Sequence, residues 1–305
     1  MRRRTLSALL LLVAACGGGD GASPDAAVPV GPRHKLVART FHAPDVSEDS
    51  APFGIDLDGD PNHRPDNALG GAMVAAASYG VDVQASTDAA IAAGRIVSLH
   101  VLQAPDLNTS NAAFWTIYQG EPQDAPDFSG AGAFTAAGSP AGAVIEGPIE
   151  DGVFRGGPGT ATIEVDIGGV VVPLDLVGVR IEASVSDGGC SGKLGGALTK
   201  RVADERVVPA FAAAFDAIVK ADPGCPAACS DTAKRVSDIF DVDHDGTITT
   251  EEVATSTVTR ALLTPDVDLF DEHGAFAPGH DKINDSLSVG FSLSCVGASF
   301  AAPGD

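Results

Sequence analysis

Residues 241–252 read Asp-Val-Asp-His-Asp-Gly-Thr-Ile-Thr-Thr-Glu-Glu. Carboxylates alternate at Asp241, Asp243 and Asp245, and Glu252 closes the stretch. This spacing suits a hard divalent cation, which gathers about six to eight oxygen ligands. The three aspartates would supply carboxylate oxygens and Thr247 its main-chain carbonyl. Thr249 would act through a water, Glu252 would bind in bidentate fashion, and Gly246 would make the sharp turn. A second acidic stretch carries Asp56, Asp58, Asp60, Asn62 and Asp66. It is a weaker candidate, because Pro61 replaces the turn glycine and Asn67 stands where a glutamate would close the shell. Its rival reading is a turn built by Asp, Gly and Pro for their backbone preferences. Asp266, Asp268, Asp271, Asp281 and Asp285 form a third cluster without the full pattern, read as a solvated face.

The 241–252 stretch matches D-x-[DN]-x-[DN]-G-x₅-E at every specified position and so resembles the EF-hand calcium loop. The flanks agree. Ser230 can cap an entering helix whose face carries Ala233, Val236, Ile239 and Phe240. Glu251 and Glu252 lead an exiting helix through Val253, Val258, Ala261 and Leu262, rich in Thr and Val and weak in helix propensity. The resemblance covers residues 230–263 and implies Ca²⁺ as the cofactor. No paired second hand stands beside it, so a structural ion is expected in place of a calmodulin-like switch. The 56–67 stretch resembles the D-x-D-x-D calcium loops of thrombospondin type 3 and dockerin-like repeats. Its distance from the first loop excludes a tandem dockerin module.

Elements must hold these loops. Strands are expected over residues 35–42, 97–101 and 114–118, and helices over 68–79 and 89–93, the latter capped by Ser86-Thr87-Asp88 and stopped by Gly94. Ile163, Val165 and Ile167 alternate with polar residues, Gly168-Gly169 turns the chain, and Val170, Val172, Leu174 and Leu176 follow, which predicts a hairpin. Val179 to Val185 continues an antiparallel meander with one wet face. Pro209 opens a helix with Phe211, Phe215, Ile218 and Val219 on one face. Alternation from Leu287 to Cys295 predicts a closing strand that rejoins the sheet. The fold class is therefore α+β. A mostly antiparallel β body, sandwich or barrel-like, spans 33–224 and 264–305, with a helical EF-hand excursion at 225–263 before the last strand.

At the amino end, Arg2, Arg3 and Arg4 precede a short apolar run, residues 6–13, which reads as a signal peptide over 1–15. Val13-Ala14-Ala15-Cys16 resembles the lipobox of bacterial lipoproteins. That resemblance implies cleavage before Cys16, lipidation of Cys16, a membrane partner through this anchor and a place in the bacterial cell envelope. Ordinary cleavage leaving a free cysteine is the alternative. Residues 16–32, opening on Gly17-Gly18-Gly19, form a flexible tether. The other cysteines, Cys190, Cys225, Cys229 and Cys295, are even in number and imply two disulfides. Three pairings are open, and a four-Cys zinc site competes with all of them.

The chain has 305 residues, 19 Lys+Arg and 41 Asp+Glu, a net charge of −22 that excludes nucleic acid as a partner. No nucleophile elbow, Walker A loop or H-E-x-x-H is present. The seven histidines are scattered; His100 is expected on a strand's exposed polar face and His244 at an outward loop position. Phe114, Trp115 and Tyr118 read as core, with a sugar-binding face as the rival. The layout as a whole resembles uncharacterised lipoproteins of myxobacterial type, with a Gly-rich tail after the lipobox, an Asp-x-Asp-Gly-Asp loop, a β body and one EF-hand. The expected function is a non-catalytic, calcium-binding envelope lipoprotein with an envelope protein or glycan as its partner. The alternatives are a calcium-dependent carbohydrate- or protein-binding module and a calcium-dependent hydrolase.

Overall fold

The computed structural model describes residues 30–44, 47–60, 66–225 and 227–303. The expected signal peptide, Cys16, most of the expected tether and Asn62 lie outside them.

The fold is α+β around one large, mostly antiparallel sheet, in which only β4 pairs in parallel, with β9. Its strands are β1 (Arg33–His42), β2 (Ser98–Gln103), β3 (Ser110–Gln119), the two-residue β4 (Gly132–Ala133), β5 (Ile145–Glu150), β6 (Val153–Ile167), β7 (Val170–Ser186), β8 (Gly189–Thr199) and β9 (Ser286–Ser299). The order runs β1-β2-β3-β5-β6-β7-β8-β9, and β1 also pairs with β9, so eight strands close into a ring. Closure gives each of the eight strands a neighbour on both sides, with the shortest pairing between β5 and β6 at Ile149↔Phe154 and Glu150↔Val153. A ring of about eight strands is small enough for side chains to fill. Alternation along β7 buries Leu174, Leu176, Val179, Ile181 and Ala183 among the main core residues. The β6–β7 hairpin turns as expected at Gly168-Gly169, with φ of 62° and 95°. Two consecutive positive φ values are what a two-residue hairpin turn demands, and glycine adopts them without steric penalty.

Two helices pack against the ring, α1 (Ala68–Ala77) and α2 (Val83–Ala92). The expected cap of α2 is corrected. Asp82 caps the helix by accepting from the Ala85 N–H, so the helix starts before Ser86. Ser86 and Thr87 instead reach β6: the Ser86 hydroxyl donates to the Asp166 carbonyl and Thr87 Oγ accepts the Asp166 N–H. His100 is also corrected. It is fully buried on β2, because its side of the strand faces the ring interior beside Leu36, Trp115 and Ile117, while the alternate residues Leu99 and Val101 face outward under Phe134, Phe300 and Ala302. Phe114, Trp115 and Tyr118 are buried too, as core residues.

β8 and β9 pair directly from Gly189↔Val296 to Thr199↔Ser286, so the chain leaves the sheet after Thr199 and returns beside the point of departure. The excursion between them is wider than the helix–loop–helix. It begins with α3 (Lys200–Val202) and a π turn over residues 203–207, then runs into α4 (Val208–Ala221). Pro209 has no N–H for the preceding turn, and the wide turn before it accommodates that loss. Next come α5 (Asp231–Phe240), α6 (Thr250–Thr255) and α7 (Thr257–Leu262). The expected single exiting helix is broken at Ser256, whose hydroxyl caps α7 by accepting the Thr259 N–H, and Ala261 is exposed. The register of β8 and β9 sets Cys190 opposite Cys295 with Cα atoms 4.7 Å apart, and the two are disulfide-bonded. Cys225 and Cys229 form the second bond. All four thiols are thereby used, and the zinc reading falls.

Candidate metal centre

Local capping shapes the 241–252 loop. The Ser230 side chain accepts the Ala233 N–H and starts α5, which buries Ala233, Val236 and Phe240 and ends at Asp241. Thr249 and Glu252 form a capping box at the start of α6: the hydroxyl accepts the Glu252 N–H, and Glu252 Oε2 accepts the Thr249 N–H at 2.9 Å. Glu252 Oε1 accepts the Val242 N–H at 2.7 Å and so reaches back across the loop. Asp241 is only 3% exposed; its Oδ1 accepts the Asp245 N–H and its Oδ2 the Gly246 N–H, both at 3.1 Å. Gly246 turns with φ of 84° and His244 with φ of 59°, its side chain exposed.

These bonds bring oxygens of Asp241, Asp243 and Glu252 within 4.8 Å of one another. Oxygens around one Ca²⁺, each about 2.3–2.6 Å from it, lie within such a distance. The donor set is all oxygen and fits a hard cation. Desolvation works against ionisation of Glu252, but the bonds from Thr249, Val242 and Asp243 outweigh it and hold the carboxyl below its usual range. Asp245 and Thr249 fall outside the close trio. Asp245 Oδ1 accepts the Thr247 N–H, and the Thr249 hydroxyl donates to Glu252 Oε2. The Thr247 carbonyl accepts no hydrogen bond among the described residues. A cavity of about 440 Å³ lies beside the loop, with Asp222, Lys234, Asp238, Asp241 and Gly246 on its wall.

Oxygens of Asp56, Asp58 and Asp66 form the other close acidic trio among the described residues. Asp60 is not part of it; its N–H donates to Asp58 Oδ1. Leu57 anchors this loop on the outside of the sheet, in a small core with Ala197, Val267 and Leu269. That core draws in the third acidic cluster, and Asp58 Oδ2 accepts the Asp268 N–H at 3.1 Å. Burial pushes the Asp66 carboxyl up to about 7; the Leu57 N–H opposes this, while Asp58, Asp266 and Asp56 add to it. Burial likewise raises Asp266, against bonds from the Ser288 hydroxyl and N–H. The solvated-face reading of the third cluster is therefore corrected. Asp268 is 1% exposed and accepts the N–H groups of Asp281 and Lys282, and Asp285 accepts those of Leu269 and Phe270. These carboxylates tie down the backbone of their own loop. Spacing gave no sign of the meeting between Asp58 and Asp266–Asp268, which are some 200 residues apart.

One further constellation looks catalytic and is not. His100 Nε2 lies 3.1 Å from Ser98 Oγ, and His100 Nδ1 accepts the Trp115 indole N–H at 2.9 Å. Indole only donates, so Nδ1 is bare and Nε2 carries the proton. The nitrogen that faces the serine has no lone pair with which to take its proton. Comparison with protein-family models, curated proteins and solved structures finds no match to this chain.

Proposed function

We propose that this protein is a calcium-binding lipoprotein of the bacterial cell envelope, non-catalytic, in which the ion braces the excursion between β8 and β9. The observation that carries the reading is the oxygen trio of Asp241, Asp243 and Glu252, set between α5 and α6 in a sequence that matches the EF-hand pattern. Asp241, Asp243, Asp245, Glu252 and the Thr247 carbonyl would hold the ion. Bound, it neutralises a charge cluster that otherwise repels itself. The envelope address rests on residues 1–16 alone. No helix among the described residues is long and apolar enough to cross a membrane, and Cys16 would supply the attachment. The binding-module alternative loses its aromatic face, since Trp115 is fully buried and Tyr118 is 2% exposed. The hydrolase alternative has three raised carboxyls, Asp66, Glu164 and Asp266, but none lines the cavity beside the metal loop.

Thermal unfolding tests the reading. With free Ca²⁺ at about 100 times its dissociation constant, the chain should gain about 2.7 kcal/mol over the chelated form. The Asp241→Ala/Glu252→Gln variant should show no gain. A gain that persists in the variant moves the calcium to Asp56, Asp58 and Asp66, and no gain in either protein sinks the proposal.

A further inference from the structure

A residue outside the loop holds the loop's least obvious ligand. Asp216 lies on α4, 22% exposed, with Oδ2 on the Lys220 ammonium at 2.8 Å. Its Oδ1 accepts the Ile248 N–H at 3.0 Å, a bond between residues 32 apart in the chain. Ile248 is itself buried at 4% exposure. One residue before Asp216, Phe215 stacks on Phe240 with ring centroids 4.4 Å apart, immediately ahead of Asp241. Helix α4 therefore grips the loop at its start and at its middle.

The bond to Ile248 matters because of the peptide it belongs to. The Ile248 N–H and the Thr247 carbonyl share one rigid plane, and in a trans peptide they point in opposite directions. The described cis peptide is elsewhere, at Gly157–Pro158. Fixing the N–H on Asp216 therefore aims the Thr247 oxygen away from α4. A carboxylate at the N–H end also polarises the peptide and concentrates negative charge on that oxygen.

We propose that Asp216 is a positioning residue for the metal loop, orienting and polarising the Thr247 carbonyl as a calcium ligand. The inference rests on the calcium reading of residues 241–252. A lone loop without a partner loop needs its middle peptide pinned by something else, and α4 supplies a carboxylate for it. Residues that act on a metal through its ligands typically change affinity by about 10–100-fold when removed.

The test is calorimetric titration of the chelator-stripped full chain with CaCl₂, using Asp216→Ala and Asp216→Asn. Both variants lose the charge, and only the asparagine keeps an acceptor oxygen for Ile248. The alanine variant should bind about 10–100-fold more weakly. The asparagine variant should stay within roughly threefold of the unaltered chain, because orientation is kept and only part of the polarisation is lost. An alanine variant within about twofold of the unaltered chain, or an asparagine variant as weak as the alanine one, overturns the proposal. If the alanine variant does not fold, amide exchange on the unaltered chain decides: Ile248 should be protected, and exchange at the rate of a free loop amide overturns the proposal. Failure of the calcium reading looks different, with no binding heat in the unaltered chain or heat that survives Asp241→Ala/Glu252→Gln.

Discussion

His100 shows how much one buried ring can weigh at the scale of a residue. Burial pushes its imidazole down to about 3, from 6.5 in an exposed chain. Between those values the unfolded chain takes up a proton that the folded chain refuses, so acid favours unfolding. The stability that depends on neutral His100 is complete above pH 6.5 and shrinks by about 1.4 kcal/mol per pH unit as the pH falls toward 3. Melting temperature should therefore fall more steeply from about pH 6 to pH 4 in the native chain than in His100→Gln. Equal slopes would show that the ring already accepts a proton in the fold. The strand pattern placed His100 on a wet face because alternation reports one sheet surface only. In the fold Val97, Leu99 and Val101 face outward under the sequence-distant Phe134 and Phe300 segments, and His100 faces the ring interior against Trp115.

At the scale of elements, tight turns and caps govern how the pieces meet. Gly168 has φ of 62°, and a Cβ there would lie 2.5 Å from Ala214 Cβ on α4. Gly168→Ala should lose about 1–2 kcal/mol from the left-handed backbone alone, and more from the clash. Denaturant unfolding measures this, and a loss under about 0.5 kcal/mol would mean that the hairpin and α4 move apart freely. Sequence signals located this turn, the Ser230 cap and the body of α5, because each depends on neighbours within a few residues. They misplaced the start of α2 and missed the break at Ser256. Several Ser, Thr and Asp residues could have capped either helix, and packing chose among them. The Ser86 and Thr87 hydroxyls were free to bond Asp166 once α2 lay on β6.

For the whole molecule, the long disulfide closes the stretch of chain that contains the excursion. The Cys190–Cys295 bond spans 105 residues of sequence and joins strands already paired in the ladder. The Cys225–Cys229 bond spans four. In the chain-entropy view the long bond restricts the unfolded chain by about 4–5 kcal/mol and the short one by about 2 kcal/mol. Cys190→Ala/Cys295→Ala should therefore lower stability about twice as much as Cys225→Ala/Cys229→Ala. Denaturant midpoints of the two double variants compare them, and equal losses would show that the unfolded chain gains little freedom from opening the long loop.

Local pattern in the amino-acid sequence was enough for the α+β class, the β6–β7 hairpin, the return of the last strand and the oxygen spacing of residues 241–252. All of these rest on periodicity, or on oxygen-bearing residues within a dozen positions of one another, where chain connectivity already fixes the geometry. Closure of eight strands into a ring, the Cys190–Cys295 pairing, the meeting of Asp58 with Asp268 and the grip of Asp216 on Ile248 came only with the tertiary structure. Each is a contact between residues far apart in the chain. Packing selects such contacts from many that local pattern leaves equivalent.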